Sequence, residues 1–161
     1  MINKYKLEHT EDHRVFLVSD THFCHNKEFL YKKRGFDSIE EHDETLIKRW
    51  NDTVRACDTV VHLGDFILGA GDKSKEKAVE ILGQLNGKIL HIWGNHNAGL
   101  KTIYKDLCKG YLGDKWFDGV EVYPLKSGNN VFLGYSALLQ VKSKRKTYFV
   151  HCSHFAHRLW I

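Results

Sequence analysis

A single proline among 161 residues excludes collagen-like and proline-rich extended chains, and the 13 glycines are scattered without a period. Long hydrophobic runs are missing too: Val15–Val18 and Ile89–Trp93, with their flanks, fall far below the ~20 apolar residues of a membrane span. Met1–Arg14 is largely polar and carries no apolar signal-peptide core, so the expected address is the cytoplasm, away from membranes. The four cysteines, Cys24, Cys57, Cys108 and Cys152, are widely spaced with no C-x-x-C pair, which predicts reduced thiols. Charge of one sign is not in excess, the formal net charge being +4. Only Lys142–Lys146 is locally dense in charge, and its place between two apolar stretches reads as a solvated hairpin tip ahead of a nucleic-acid contact. What the chain does have is 42% hydrophobic residues, enough for one domain that buries roughly two thirds of its unfolded surface without staples. It also has 11 histidines, more than packing and surface chemistry require.

The periodicity predicts an α/β order. Val15–Ser19 is a short apolar run read as a strand buried on both faces. Ser38 with Glu41 makes a capping box, opening a helix in which Ile39, Leu46, Ile47, Trp50 and Val54 recur at helical spacing. Thr59–Leu63 is a second buried strand, Lys73–Asn86 an amphipathic helix closed by Gly87 as its C′ residue, and Lys88–Trp93 a third strand. Leu100–Leu107 is a weaker helix candidate. Val120–Leu125, Val131–Tyr135 and Thr147–Cys152 read as strands, with Ser127–Asn130 as a turn. The pattern is βα, βα, βα and then mostly β, which implies a partly parallel central sheet.

Residues able to bind metal stand where these strands stop: Asp20 and His22, then Asp65, then Asn95 and His96, and finally His151 and His154. Loops leaving the carboxyl ends of parallel strands converge on one crevice, so residues far apart in sequence meet. Carboxylate, imidazole and amide without thiolate suit Mn, Fe, Zn, Ni or Co better than an all-oxygen Mg or Ca cage. Two such ions about 3.5–4 Å apart would clamp both oxygens of an in-line displacement at phosphorus and supply hydroxide at neutral pH. A lone strand-end aspartate is more often a cap than a ligand. His62 and His91, inside strands, read as packed residues, and His9, His13 and His42 as surface ones. The ordered combination Asp-x-His, Gly-Asp and Gly-Asn-His, each after a buried strand, outweighs those readings.

At these positions the sequence resembles the calcineurin-like metallophosphoesterases, in the form of small bacterial and phage members. The resemblance rests on Ser19–Asn26, Leu63–Phe66, Gly94–His96, the Phe36–Val54 helix with Trp50-Asn51, and Tyr148–Trp160. It implies that family's fold, central β-sheets flanked by helices with the metal site at the strand carboxyl ends. The activity it implies is hydrolysis of a phosphomonoester or phosphodiester by a metal-bridging hydroxide, with nucleotides or nucleic acids among the substrates. It further implies two divalent ions: Asp20 and His22 on the first, Asp65 bridging, Asn95 and His154 on the second. His154 is preferred to His151 because His154-Phe155, followed by Arg158 and Trp160, matches the family's segment. His96 would act on the leaving-group oxygen, and protonation or hydrogen bonding there stabilises charge that develops only in the transition state. His25, Asn97 and Arg158 would touch substrate or support the ligands.

Departures from the family pattern set further expectations. Asn97 stands where an acid usually follows Gly-Asn-His, which makes His96 a weaker acid. The family's Gly-His-x-His block does not follow His154, so the expectation is one domain over 1–161, incomplete at its C-terminus. The ligands of that block could be truncated, supplied by a partner chain, or replaced by His151 or His157, and activity of this chain alone would be weak. A catalytically impaired scaffold that binds a partner chain is the competing reading.

Overall fold

The structure, a computed structural model, describes residues 3–68, 72–92, 123–124, 130–132, 136–144 and 146–153. In chain order these form β1 (Asn3–Glu8), β2 (Val15–Val18), a short helix α1 (Glu28–Tyr31) running into a 3-10 turn (Lys32–Arg34), and α2 (Ile39–Thr53). There follow β3 (Thr59–His62), α3 (Asp72–Gln84), β4 (Lys88–His91), β5 (Tyr123–Pro124), β6 (Asn130–Phe132), β7 (Ser136–Ser143) and β8 (Lys146–Ser153).

The strands make two sheets, one ordered β2-β3-β4-β6-β5 and one ordered β1-β7-β8. In the first, β2, β3, β4 and β6 are parallel, with Phe16, Val60 and Ile89 in one register row and Leu17, Val61 and Leu90 in the next. Because side chains alternate along a strand, these rows face opposite ways. Val60 and Ile89 pack with Trp50 of α2, Val54 just after it and Ile81 of α3, together with Leu85. Val61 and Leu90 pack with Ile92 and with Leu139 of β7, Leu7 of β1 and Val150 of β8 adding partly buried cover. The first sheet is thus sandwiched between helices and the second sheet, and β3 is buried along its whole length.

Local chemistry explains the element ends. Ser38 Oγ accepts from Glu41 N (3.1 Å), while the Glu41 carboxylate accepts from Asp37 N (2.8 Å), so one donor inside the start of α2 and one just before it are satisfied. Helix α3 stops two residues before the expected Asn86, which is tied to α2 instead: Trp50 Nε1 donates to its carbonyl (2.9 Å) and Asn51 Oδ1 accepts from its N–H (2.9 Å). Gly87 therefore lies beyond the cap, at a left-handed φ of 86°, where a Cβ would stand 2.8 Å from Val54 Cγ1 and 3.0 Å from the Asp58 carbonyl oxygen. At the N-terminal end of β3, the buried Asp58 carboxylate accepts from Arg14 N and Nη2 (2.8 and 2.6 Å) and from Arg55 N and Nη2 (2.9 and 3.0 Å). Burial pushes this carboxyl up, but the arginine hydrogen bonds, Arg55 first and then Arg14, outweigh it and hold the group far below the usual carboxylate range.

Some expectations are corrected. β2 is not buried on both faces, since Leu17 is 54% exposed on the outermost strand of the described sheet. Strands β1 and β7, absent from the periodicity reading, pair in parallel from Asn3↔Ala137 to Glu8↔Lys142. The Lys142–Lys146 segment does form a hairpin connection, between β7 and β8, and Lys144 there forms an ion pair with Glu11. Leu100–Leu107 lies outside the described residues.

Candidate metal centre

The loops leaving β2 and β3 zip together where the strands end. Asp20 N donates to Gly64 O (3.0 Å), His22 N to Asp65 O (2.9 Å), Phe23 N to Phe66 O (3.0 Å) and Leu68 N back to Phe23 O (3.0 Å). This ladder forces a twisted path: Asp20, His22, Cys24 and Asp65 all have positive φ (56°, 52°, 60° and 53°), next to Gly64 at 114°. The left-handed region costs about 1–2 kcal/mol per non-glycine residue, less for Asp, and such strain collects where surrounding structure holds it in place.

The result brings Asp20, His22 and Asp65 together, with one ligand atom from each lying within 4.8 Å of the others. His22 Nε2 is 3.6 Å from Asp20 Oδ1 and 3.7 Å from Asp65 Oδ2. Ligands bound to one ion at about 2.0–2.2 Å can stand up to about 4.4 Å apart, so either pair could share an ion. The donor set fits a borderline divalent metal. On the other side of the ring, His22 Nδ1 is 3.1 Å from His25 Nδ1. If His22 presents the Nε2 lone pair to a metal, Nδ1 carries the proton and donates it to His25, which fixes the tautomer and the ring plane. Asp65 and His22 are buried, while the Asp20 side chain is 36% exposed and marks the open side.

Further groups brace this loop. The Thr21 hydroxyl donates to Phe66 O (2.8 Å) and lies 3.0 Å from His62 Nε2, whose Nδ1 faces Gly64 N (3.3 Å). Since Gly64 N donates, His62 Nδ1 accepts, so Nε2 holds the proton and donates it to Thr21. His62 and His91 are fully buried, as packed histidines should be, with Phe66 edge-on to both rings. His42 is not a surface residue: it is fully buried, with Nδ1 2.9 Å from Asp43 Oδ1 and Nε2 3.0 Å from Arg34 Nη1. His9 and His13 are half-buried brackets, with His9 Nδ1 accepting from Val15 N and His13 Nε2 meeting Thr59 Oγ1, each at 3.0 Å. Cys24 N donates to Asp43 Oδ2 (2.9 Å). Burial, and then the neighbouring Asp43, push the Cys24 thiol up to about 12. Burial also raises Asp43, against its hydrogen bonds from His42 and Cys24 N.

Sequence reasoning missed Thr21, Arg34, His42 and Asp43. One signal was available: helical spacing puts Asp43 on the apolar stripe of Ile39, Ile47 and Trp50, where an acid is costly without partners. Asn95, His96, Asn97, His154, Arg158 and His157 lie outside the described residues, and of His151 only its strand pairing with Leu138 is described.

The cluster stands on paired parallel strands, and a family profile described as calcineurin-like phosphoesterase matches residues 13–157. The chain belongs to that family. It is similar to the uncharacterized protein MJ1445 of Methanocaldococcus jannaschii, 49% identical over 84 residues that cover 52% of this chain and 47% of the relative. It is also similar to the Gene 66 protein of Mycobacterium phage L5, 35% identical over 102 residues that cover 63% of this chain and 47% of the relative. The chain therefore spans about half the length of these curated relatives. Among solved structures, the protein of unknown function AQ665 from Aquifex aeolicus matches at 24% identity and a TM-score of 0.44, over 71% of this chain and 56% of its own. Among the described residues no helix is long and apolar enough to cross a membrane.

Proposed function

We propose that the chain is a cytoplasmic, metal-dependent phosphoesterase acting on a phosphomonoester or phosphodiester. The observation that carries this reading is the Asp20, His22 and Asp65 cluster at the carboxyl ends of two adjacent parallel strands. Divalent ions of the Mn, Fe, Zn, Ni or Co class would polarise a phosphoryl oxygen and lower the pKa of water there. Asp20 and His22 would hold one ion, the buried Asp65 carboxylate would be shared with a second, and Asn95 and His154 would serve that second ion. With a metal on His22 Nε2, His25 Nδ1 would accept a hydrogen bond from His22 Nδ1–H and so orient the ligand ring. His96 delivers a proton or hydrogen bond to the leaving oxygen, Asn97 orients that ring, and Arg158 meets the phosphoryl charge. Nucleotides and nucleic-acid ends fall within the substrate class, because these residues act on the phosphoryl group all of them share.

The test is turnover of bis-p-nitrophenyl phosphate and p-nitrophenyl phosphate by Mn-loaded protein beside Asp65→Asn. The reading expects hydrolysis that the substitution removes; equal turnover in the two proteins would contradict it.

A further inference from the structure

Outside the candidate ligands, a connected polar cluster joins the start of α2 to the loop that carries Asp20 and His22. Arg34 grips two successive carbonyls of that loop, Nη2 donating to Asp20 O (2.8 Å) and Nη1 to Thr21 O (3.0 Å). Nη1 also meets His42 Nε2 (3.0 Å). A guanidinium has only donors, so His42 Nε2 accepts, and its proton is on Nδ1, which donates to Asp43 Oδ1 (2.9 Å). The other Asp43 oxygen takes the Cys24 N–H (2.9 Å), at the far end of the same strained loop. With a donor on each oxygen, Asp43 acts as a carboxylate. The directions of all these bonds agree with one another, and together they hold the loop at both ends: its two carbonyls before His22 and its amide just after.

We propose that Arg34, His42 and Asp43 are positioning residues that keep the Asp20–Cys24 loop in its left-handed path, so that metal affinity at Asp20, His22 and Asp65 depends on side chains whose described hydrogen bonds to that loop go to its backbone. The inference rests on the metal-centre reading above. Its physical basis is the cost of that path: without the grip on the two carbonyls, the loop can relax Asp20 or His22 towards ordinary φ, and either change turns a ligand away. Arg34 is exposed, so replacing it opens no core. Lysine cannot grip both carbonyls and the imidazole at once, because its ammonium is a point donor where the guanidinium is a planar fork.

The experiment is calorimetric titration of the 161-residue chain with Mn2+, with thermal unfolding and the visible absorption of the Co2+ form recorded for each variant. Arg34→Gln should bind Mn2+ about ten- to a hundredfold more weakly, the range seen when groups supporting metal ligands are removed, and Arg34→Lys should fall between it and wild type. Asp43→Asn should weaken binding as well, since the new amide group offers a donor where the site already presents one. The Co2+ absorption of these variants at saturation should change, which a loss of fold stability alone would not produce. Lys32→Gln, a neighbour paired with Glu28, should bind like wild type. If wild type itself fails to bind, or Asp65→Asn binds equally well, the metal-centre reading fails. If wild type binds and Asp65→Asn does not, but Arg34→Gln and Asp43→Asn match wild type in affinity and spectrum, this inference alone is overturned. Should Arg34→Gln not fold, Arg34→Lys and Asp43→Asn decide on the same readouts.

Discussion

Replacing Asp58 by asparagine removes a charge that ties the start of β2 and the segment after α2 to the head of β3, at the end of the molecule away from the candidate metal centre. The carboxylate takes hydrogen bonds from the backbone and side chain of Arg14, at the start of β2, and of Arg55, just after α2, while Lys88 N at the head of β4 donates to its carbonyl (2.9 Å). Breaking a fully buried ion pair costs 3–5 kcal/mol, but Arg14 and Arg55 keep 34% and 47% side-chain exposure, so water recovers part of the loss. The expected destabilisation at pH 7 is about 2–4 kcal/mol, a fall of about 1–2 M in the urea midpoint at a slope of about 2 kcal/mol/M. The sign of the pH dependence follows from the depressed folded pKa of Asp58. The unfolded aspartate, near 3.9, takes up its proton first, so the contribution is whole above that pKa and is lost as pH falls below about 4. The gap between wild type and Asp58→Asn in urea melts should therefore be largest near pH 7 and shrink towards pH 3. A gap below about 0.5 kcal/mol at pH 7, or one that does not shrink with acid, would refute the reasoning.

Other outcomes follow from the same structure. Thr21→Val should cost about 2–3 kcal/mol in urea unfolding, because the buried hydroxyl joins His62 to Phe66 O, whereas Thr21→Ser should cost less than half as much. Gly87→Ala should lower stability by about 2 kcal/mol, since a left-handed φ is combined with a Cβ 3.0 Å from a backbone oxygen that cannot move aside cheaply. Asp65→Asn should reduce phosphoesterase turnover by more than about a hundredfold while leaving the circular dichroism spectrum unchanged, since a ligand contributes more than the groups that merely support it.

The strands and helices that the sequence made legible are those whose signals are local. Helix α2 begins where Ser38 and Glu41 place it, and β3 and β4 lie within their apolar runs. That Asp20, His22 and Asp65 come together was equally legible, because they stand in the loops that leave such runs. Strand β1 was not, although Tyr5 and Leu7 alternate with Lys4, Lys6 and Glu8, since its partner β7 lies more than a hundred residues away and only that pairing gives Leu7 a core to face. Helix α1 has four residues, too few to show a period. The exposure of Leu17 depends on which strand flanks β2, a property of the sheet order alone. Arg34 and His42 look like ordinary surface residues of a charged turn and a helix, and their roles become visible only once the β2 loop folds back onto α2.

The most direct measurement of the central claim is anomalous scattering from a crystal of the chain grown with Mn2+. The account predicts a peak about 2.0–2.3 Å from Asp20, from Nε2 of His22 and from the Asp65 carboxylate, the ordinary range of metal–ligand bonds. Manganese bound only elsewhere, with His22 still lying between two bare carboxylates at saturating metal, would contradict it.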